Sequence, residues 1–378
     1  MTETFELPIT GYGEGTGNWY LISSPVASPV TPTTNNGFVS DHYDLYCFNQ
    51  AAELEWENHK VHGFDIESGH GYLYASSANT TLVFTGAPYN SNGEIQLVYE
   101  EGKDFAGWNL IGNPFCVTAY IVGGRDFYVM GVNDDGKSEI IAAEGNSIAS
   151  MEGVFVHTTT SETMTFTTTE PESNGDAKVV LNLNRGRGVI DRAIVRFAEN
   201  RQLPKFQLFG NSTKLYIPKN DKDFAVVSSE AQGEMPVNFK AQENGTYTLN
   251  IDTENVEMNY LHLIDNMTGM DVDLLQTPSY TFDATTNDYA SRFRLVFSAN
   301  NVDGPSAGSE AFAFYSNGNW VVNNEGEATL QVIDVNGRIV SNETINGTVA
   351  TSINATPGVY MLRLVNGNEV KTQKIVVR

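Results

Sequence analysis

The stretch GNWYLISSP (residues 17–25) returns further along the chain as GWNLIGNPF (residues 107–115). Trp19 matches Trp108 at a shift of 89 residues, and the proline that ends each phrase keeps the same shift. Aromatic and branched aliphatic residues run together before each proline, which is typical of short β-strands. A phosphate-binding loop would need a Gly-Lys-Ser/Thr motif and a helix after its glycines. The glycine-rich lead-in GYGEGTG (11–17) therefore indicates a turn before a strand.

Two further blocks repeat, each at a shift of 82 residues. They pair YDLYCFN (43–49) with RDFYVMG (125–131), and GYLYASSANTTLVF (71–84) with GVFVHTTTSETMTF (153–166). Three blocks in one order, whose shifts differ by no more than a loop deletion, indicate an internal duplication. We predict repeats at about 17–88 and 107–170, which pack together as one all-β domain over residues 1–172.

Short strand-like segments then follow one another, separated by turn residues. KVVLNLN (178–184) and GTYTLNID (245–252) alternate polar and apolar residues, as strands of an antiparallel sandwich do. We predict a β-sandwich module over 177–300, a linker at NVDGPSAGSE (301–310) and a small β-domain over 311–378. The fold class predicted for the chain is all-β, with tandem antiparallel β-sandwich domains, the first built from the internal duplication.

Acidic residues dominate the chain, which carries 46 Asp and Glu against 22 Lys and Arg, a net charge of −24. Residues 1–174 hold 23 of the acidic and 4 of the basic residues, so they account for −19 of the total. Such a surface repels the phosphates of nucleic acids and of anionic lipids. No apolar run approaches the length of a membrane span. We therefore expect neither a nucleic-acid partner nor a membrane-spanning segment.

The potential metal ligands do not follow the spacing of known sites. Four of the six histidines fall within residues 42–70, but they lack the His-Glu-x-x-His frame of a zinc hydrolase. NDDGKSE (133–139) and DNMTGMDVD (265–273) place acidic residues around a glycine without the full spacing of a calcium loop. We expect ordinary hairpins there, with opportunistic calcium as the alternative, and no dedicated metal or cofactor.

The sequence gives no sign of a catalytic centre. No nucleophile elbow follows a predicted strand and opens a helix, and neither Cys47 nor Cys116 has a legible catalytic setting. We therefore predict that the chain is not an enzyme. The two thiols are expected to be buried or partly buried, and the sequence leaves their redox state open.

Two other features have a structural and a functional interpretation. Trp19 and Trp108 lie within apolar runs, so we expect them to anchor the core, and stacking of a ligand on the two rings is the alternative. The run RGRGVIDRAIVRF contains four arginines: Arg185, Arg187, Arg192 and Arg196. Because aromatic residues are sparse there and the surroundings are acidic, we expect a solvated strand face rather than a nucleic-acid contact.

The C-terminal segment alternates strands with tight turns. It contains Asp334-Val335-Asn336-Gly337-Arg338, then Pro357-Gly358-Val359-Tyr360 before a strand with Leu362 and Leu364, and finally Lys374-Ile375-Val376-Val377. In order, spacing and terminal position, these elements closely resemble the C-terminal sorting domain of cargo of the type IX secretion system of Bacteroidota, over residues about 305–378. The resemblance implies that the sorting signal includes Gly337, Arg338, Pro357, Gly358, Tyr360 and Lys374. We expect both glycines in turns whose backbone angles a Cβ resists.

The resemblance also implies a route of export and a location. Cargo of this family crosses the inner membrane with a signal peptide, and the outer-membrane translocon then recognises the folded terminal domain. A sorting peptidase typically removes that domain, often with attachment of the passenger to surface lipopolysaccharide. MTETFELPITG (1–11) lacks the order of a signal peptide, so we expect the native one to be absent from this chain. Residues 177–298 are similar to a β-module that often precedes the sorting domain.

Together these observations predict a non-enzymatic protein, secreted or attached to the outer membrane at the cell surface, that serves adhesion or ligand binding. Its partners would be the translocon, the sorting peptidase, and a glycan or host protein as ligand. The alternative is the non-catalytic C-terminal part of a larger secreted enzyme, a protease or a glycosidase. A carbohydrate-active site within residues 1–172 would need paired carboxylates across a groove, which sequence does not pair. The ligand and the oligomeric state stay open.

Overall fold

The structure is a computed structural model that describes residues 1–12, 18–39, 41–132, 138–171, 177–208, 210, 212–300, 312–316, 318–353, 355–367 and 369–377. Regular structure in those ranges consists of 32 β-strands, a 3-10 turn at Thr34–Asn36 and a single-turn α-helix, α1, at His59–His62. The all-β fold class is confirmed. Two predicted features lie outside the described residues: the glycines at 13, 15 and 17, and the linker at 301–310.

The first domain contains fourteen strands in its described part. They are β1 (Glu3–Ile9), β2 (Trp19–Ile22), β3 (Tyr43–Phe48), β4 (Trp56–Asn58), β5 (Tyr72–Ser76), β6 (Thr80–Gly86), β7 (Glu94–Leu97), β8 (Trp108–Gly112), β9 (Ala119–Ile121), β10 (Tyr128–Val132), β11 (Ser138–Ala142), β12 (Ser147–Ile148), β13 (Gly153–His157) and β14 (Glu162–Thr167). Alternation explains strands such as β6, in which Leu82 and Phe84 are buried and their neighbours are not. The sheets run β1-β6, β2-β5-β3-β4, β8-β13-β10-β11 and β12-β9-β14-β7.

The two halves of this domain share their strand pairing. Trp19 of β2 lies opposite Ala75 of β5, and Trp108 of β8 lies opposite His157 of β13. A shift of 89 residues relates the two tryptophans, and a shift of 82 relates their partners. The shift of 82 also relates a second pair, because Tyr46 lies opposite Leu73 and Tyr128 lies opposite Phe155. The pairing supports the internal duplication, which stays a prediction. It also extends each half beyond the predicted repeat, because β1 pairs with β6 as β7 pairs with β14.

Reciprocal backbone hydrogen bonds join the two halves. Beyond the end of β2, the N–H of Ser23 donates to the carbonyl of Met151 at 2.9 Å, in the turn before β13. At the end of β8, the N–H of Gly112 donates to the carbonyl of Gly69 at 3.1 Å, in the turn before β5. The shift of 89 residues relates the two donors, and the shift of 82 relates the two acceptors. Each half therefore supplies a hydrogen-bond partner to the strand end of the other half. Gly112 is required here, because a Cβ would lie 2.0 Å from Ser23 Oγ.

Gln50 clamps the two halves from the inside. Its side chain is buried, and its Nε2 donates to the carbonyls of Val98 and Trp108, both at 2.8 Å. Its Oε1 accepts the backbone N–H groups of Glu100 at 3.1 Å and Gly107 at 2.7 Å. One side-chain amide therefore satisfies four backbone groups, which lie between β7 and β8 and at the first residue of β8. Without these hydrogen bonds, burial of the four groups would cost free energy.

The described part of the middle domain is a single sheet of eleven strands, ten of which form one hydrogen-bonded path. They are β15 (Lys178–Arg185), β16 (Gly188–Arg196), β17 (Leu203–Pro204), β18 (Lys214–Lys219), β19 (Lys222–Ser228), β20 (Gln232–Lys240), β21 (Gly245–Glu254), β22 (Glu257–Asp265), β23 (Met270–Asp273), β24 (Ser279–Ala284) and β25 (Phe293–Asn300). The order is β23-β22-β25-β20-β18-β19-β16-β15-β21-β24, with β17 beside β19. Because side chains from both ends of this path, such as Leu263 and Leu249, share one core, the sheet folds over itself as a sandwich.

The first and middle domains share a second hydrophobic core. Phe206 follows β17, and its ring centroid lies 4.6 Å from those of Trp108 and Phe155 in the first domain. Ile194 of β16 and Val226 of β19 belong to the same cluster. The two domains therefore share an apolar interior at this contact.

The prediction of a solvated arginine face is wrong for two of its four members. Arg192 and Arg196 are each 7% exposed. Arg192 donates through Nη1 to the carbonyl of Ala142 at 2.7 Å, and Arg196 donates through Nε to Asp126 Oδ1 at 2.7 Å. Both partners belong to the first domain, so the basic run of one domain meets the acidic surface of the other. Paired in this way, the guanidinium groups can be buried.

The C-terminal domain is a small sandwich of two sheets. Its strands are β26 (Ala313–Ser316), β27 (Asn319–Val322), β28 (Glu327–Asp334), β29 (Ile339–Asn346), β30 (Val349–Thr351), β31 (Gly358–Asn366) and β32 (Glu369–Val377). They form the sheets β26-β27-β30 and β29-β28-β31-β32, which enclose the fully buried Trp320. The three-stranded sheet lies on the middle domain, where Val321 packs with Ile264 and Val296.

We predict that Gln50→Leu lowers the free energy of unfolding by about 3 kcal/mol or more, because each buried group left unpaired costs roughly 1–3 kcal/mol. Chemical denaturation followed by fluorescence measures it. The matched control is Gln96→Leu, since the Gln96 side chain is exposed and, among the residues that the structure describes, bonds only to the side chain of Thr163. That change should stay within about 0.5 kcal/mol. Equal effects of the two substitutions would contradict the clamp.

Candidate functional site

The four-stranded sheet of the C-terminal domain gathers the residues of the predicted sorting signal at one of its ends. Asp334, at the end of β28, lies opposite Tyr360, and Gly358, at the start of β31, lies opposite Val377. The turn after β28, the start of β31 and the last residues of β32 therefore meet. We call this region, residues 334–339, 357–361 and 374–377, the motif end.

A tight turn with a side-chain clasp forms one part of the motif end. The carboxylate of Asp334 accepts the backbone N–H of Arg338 at 3.0 Å and that of Asn336 at 2.9 Å. These backbone donors, together with the Arg338 guanidinium, lower the pKa of the Asp334 carboxyl. Gly337 has φ of +77°, which a residue with a Cβ resists. The expectation for Gly337 is met, and Arg338 is held in an exposed loop.

The start of β31 differs from expectation at Gly358. Its φ is not among the positive values, and a Cβ would come no closer than 3.7 Å to a neighbour. Gly358 already belongs to the strand, so its backbone is extended. Residues with a Cβ adopt this conformation as well. Tyr360 is buried, with its ring 5.5 Å from that of Trp320, and its hydroxyl donates to the carbonyl of Thr356 at 2.9 Å. Tyr360 thus holds the Pro357 segment on the sandwich.

The outer face of this sheet carries an exposed apolar patch at the motif end. Met361 is 42% exposed, Val376 is 55% exposed, and Ile339 is 52% exposed. Lys374 lies directly opposite Met361 and is also exposed. The other sheet of the sandwich faces the middle domain, so this face is the one that a partner can reach.

Sequence analysis missed the apolar patch, although a signal for it was present. In GVYML and KIVVR, apolar residues stand at consecutive positions rather than at alternate ones. Since successive side chains of a strand point to opposite faces, such runs place apolar groups on both faces of the sheet.

The tryptophans proposed for ligand stacking occupy different environments. Trp108 is 7% exposed, and its ring is packed against Phe206 and His157. Trp19 is half-buried, with its ring 6.1 Å from that of Tyr46. The backbone of Trp19 is held by Ser138, whose hydroxyl accepts its N–H and donates to its carbonyl. A ligand could reach part of Trp19 but would have to displace Phe206 to reach Trp108.

A polar cleft of about 400 Å³ lies where the first domain meets the middle domain. Arg125, Glu162 and three consecutive threonines, 158–160, form one wall, and Asn200 and Arg201 form the other. Arg125 donates to Glu162 Oε1 at 2.6 Å, and this carboxylate also accepts from Thr158, so their bonds lower the Glu162 pKa. Fixed donors and acceptors beside the exposed Thr159 and Thr160 suit a polar ligand.

Three of the histidines that cluster in the sequence have separate partners in the structure. His59 bonds through Nδ1 to the hydroxyl of Tyr43 at 3.0 Å, while His42 bonds to Ser77 and His70 lies beside Glu67. Within the described ranges, His, Cys, Asp and Glu form no group of three that could hold a metal ion. NDDGKSE (133–139) lies mostly outside those ranges, whereas DNMTGMDVD (265–273) contains the hairpin of β22 and β23.

The two cysteines are free thiols of intermediate exposure. Burial, together with the nearby Glu57 carboxylate, raises the pKa of the Cys47 thiol to about 11, so it stays protonated near neutral pH.

No helix in the described part of the chain has the length and apolar character needed to cross a membrane.

Comparison with known proteins identifies the C-terminal domain. Residues 316–378 match the family model described as "Secretion system C-terminal sorting domain". No curated protein matches the chain. The chain is also similar to a solved structure titled "Biofilm associated protein - BSP domain", at 8% identity and a TM-score of 0.17, over 99% of this chain and 63% of that one. A TM-score of 0.17 is too low to show a shared fold. The resemblance seen in the sequence is thus confirmed by the family match, and the chain carries at residues 316–378 the sorting domain of a type IX secretion cargo protein.

Proposed function

We propose that this chain is a non-enzymatic β-protein of the cell surface or extracellular space, which binds a glycan or a host protein after export through its sorting domain. The observation that carries the proposal is the motif end. Its sorting residues converge beside an exposed apolar patch, on the face turned away from the rest of the chain. Recognition of a folded domain needs such a surface, because an unfolded segment would not hold the patch together.

The interaction with the secretion machinery would combine apolar contact with one charge. Met361 and Val376 supply apolar area, and the ammonium of Lys374 supplies an anchor beside it. Apolar groups at the centre with a charge at the edge are usual for protein interfaces. Removal of the sorting domain by a peptidase and attachment of the remainder to the outer membrane belong to this proposal.

The cleft between the first and middle domains is the proposed ligand site. Thr159, Thr160 and Asn200 are exposed on its walls, and Arg125 lies on the same wall as the threonines. Hydroxyl-rich glycans are recognised by sets of planar donors and acceptors of this kind, with the Arg125–Glu162 pair holding its geometry.

Two ionisable groups of the first domain with shifted pKa values have structural roles. Glu152 has a raised pKa because of burial, yet its carboxylate accepts the N–H of Ala149 at 2.7 Å and so closes a turn. The pKa of His157 is lowered by burial, and its ring packs on Trp108. Both groups act in packing and in turn geometry, so we propose neither of them as a catalytic group.

We predict that Val376→Glu blocks export, because it places a charge in the apolar patch. The full chain, supplied with a signal peptide in a host with the type IX system, should then collect in the periplasm. The matched control is Val370→Glu, at the other end of the same strand and on the same face. It should reach the surface like the unchanged chain. Fractionation with immunoblotting measures both, and thermal unfolding checks that both variants fold. Equal export of the two variants would refute the docking role of the motif end.

We predict different outcomes for the two glycines of the sorting signal. Gly337→Ala should destabilise the sorting domain by about 1–2 kcal/mol, the cost of a left-handed conformation for a residue with a Cβ. Gly358→Ala should be neutral or stabilising by up to about 1 kcal/mol, since its extended backbone suits alanine. Thermal unfolding of the full chain measures the two changes. A larger loss from Gly358→Ala would contradict the turn geometry.

We predict that the full chain binds members of a glycan array or of a host matrix-protein panel. The substitution Arg125→Ala should lower the affinity of this binding at least tenfold. The control is Arg185→Ala, which removes a surface ion pair with Glu243 in the middle domain. Neither of these two residues lines the cleft. Binding should survive the control. An unchanged chain that binds nothing on either panel, or a loss that is equal in both variants, would reject the cleft as the ligand site.

A further inference from the structure

Lys205 and Asp191 meet inside the middle domain, close to its junction with the first domain. Their side chains are 5% and 4% exposed. Lys205 Nζ lies 2.5 Å from both carboxylate oxygens of Asp191. Lys205 stands between Pro204 and Phe206, whose backbone groups bond to the buried hydroxyl of Tyr128. Water is thereby kept away from the amine and the carboxyl group.

The bonding of the Lys205 ammonium in this pair is incomplete, whereas the Asp191 carboxylate also accepts the backbone N–H groups of Arg192 at 2.8 Å and Leu215 at 2.6 Å. In the comparable buried pair, Arg292 finds a partner for each nitrogen of its guanidinium, in the Asp265 carboxylate and the carbonyl of Asp283. An ammonium has three N–H groups, but within the described residues the only partner of Lys205 Nζ is the Asp191 carboxyl. A buried ammonium with an unpaired N–H is costly, whereas an amide nitrogen carries only one N–H.

The ionisation of both groups is shifted towards the neutral forms. Burial raises the pKa of the Asp191 carboxyl and lowers the pKa of the Lys205 amine. Transfer of one proton along the short contact turns the ion pair into a free amine beside a carboxylic acid. These are a nucleophile and its electrophile, held together without water.

We propose that Lys205 and Asp191 condense to form an intramolecular amide cross-link. The lone pair of Nζ attacks Cγ of Asp191, and a nitrogen–carbon bond forms. Charge develops on Oδ2, which already accepts the backbone N–H of Leu215 at 2.6 Å. The bond from Cγ to Oδ1 then breaks, and Oδ1 leaves as water with its hydroxyl proton and one proton from Nζ. The step needs no oxidant, reductant or co-reactant.

The cross-link would join β16 to the segment after β17. That segment carries Phe206 into the core shared with the first domain, so the amide fastens the junction of the two domains covalently. Outside the cell, such a bond would slow unfolding and hence attack by proteases, since it holds even when the surrounding core opens.

Mass spectrometry of the intact, denatured full chain tests the proposal. The expected mass is lower than that of the sequence by one water, and Lys205→Arg and Asp191→Ala should each restore the full mass. A tryptic digest should show no cleavage after Lys205 and a branched peptide that joins residues 191 and 205. The control is Lys178, also buried and 2.8 Å from Glu254, whose partly exposed carboxylate should keep both groups unlinked.

A wild-type chain of full mass would overturn the proposal and leave the pair as an ion pair. A missing water can also come from ring closure at an Asp-Gly step, which the sequence has at Asp135 and Asp303. In that case trypsin cuts after Lys205 and the water loss maps elsewhere, which would equally overturn the proposal. Because the wild-type mass decides by itself, the result does not depend on whether either variant folds.

Discussion

The packing of Phe206 against Trp108 and Phe155 is the contact on which the arrangement of the first two domains depends. It draws one end of the middle domain into the core of the second half of the first domain. Around it, the guanidinium of Arg196 and the carboxylate of Asp126 are buried together, which is tolerable only because each satisfies the other. At least one acidic residue of the first domain, Asp126, thus stabilises this junction. Its role there is separate from the repulsion of nucleic acid that the net charge predicts.

Much of the fold could be predicted from the sequence, because repetition and alternation are local properties. The blocks at shifts of 89 and 82 residues mark strands that pair in the same register in both halves. The shared core could not be predicted, because Phe206 lies in an irregular segment with no periodic pattern. The burial of Arg192 was missed for a related reason, since two of its partners, the Ala142 carbonyl and the Glu144 carboxylate, belong to another domain and no spacing along the chain links them to it.

The sorting signal shows the same division between local and long-range information. Gly337 was predictable because an Asn-Gly turn constrains its own backbone. Gly358 was not, because whether the residue after Pro357 belongs to a turn or to a strand depends on its pairing with Val377. The convergence of both with Lys374 follows only from the order of strands in the sheet. The polar cleft has no signature in the sequence, since its two walls come from segments far apart in the chain.

The central claim is that the first and middle domains form one cooperative body, with the sorting domain as a separate unit. Differential scanning calorimetry of the full chain and of Phe206→Ala tests it most directly. The account predicts two transitions, a larger one for the first and middle domains together and a smaller one for the sorting domain. In the variant the larger transition should shift to a lower temperature as a single peak, which corresponds to a loss of about 3–5 kcal/mol in the free energy of unfolding. The smaller transition should be unchanged. Separate transitions for the first and middle domains, with only one of them affected by Phe206→Ala, would contradict it.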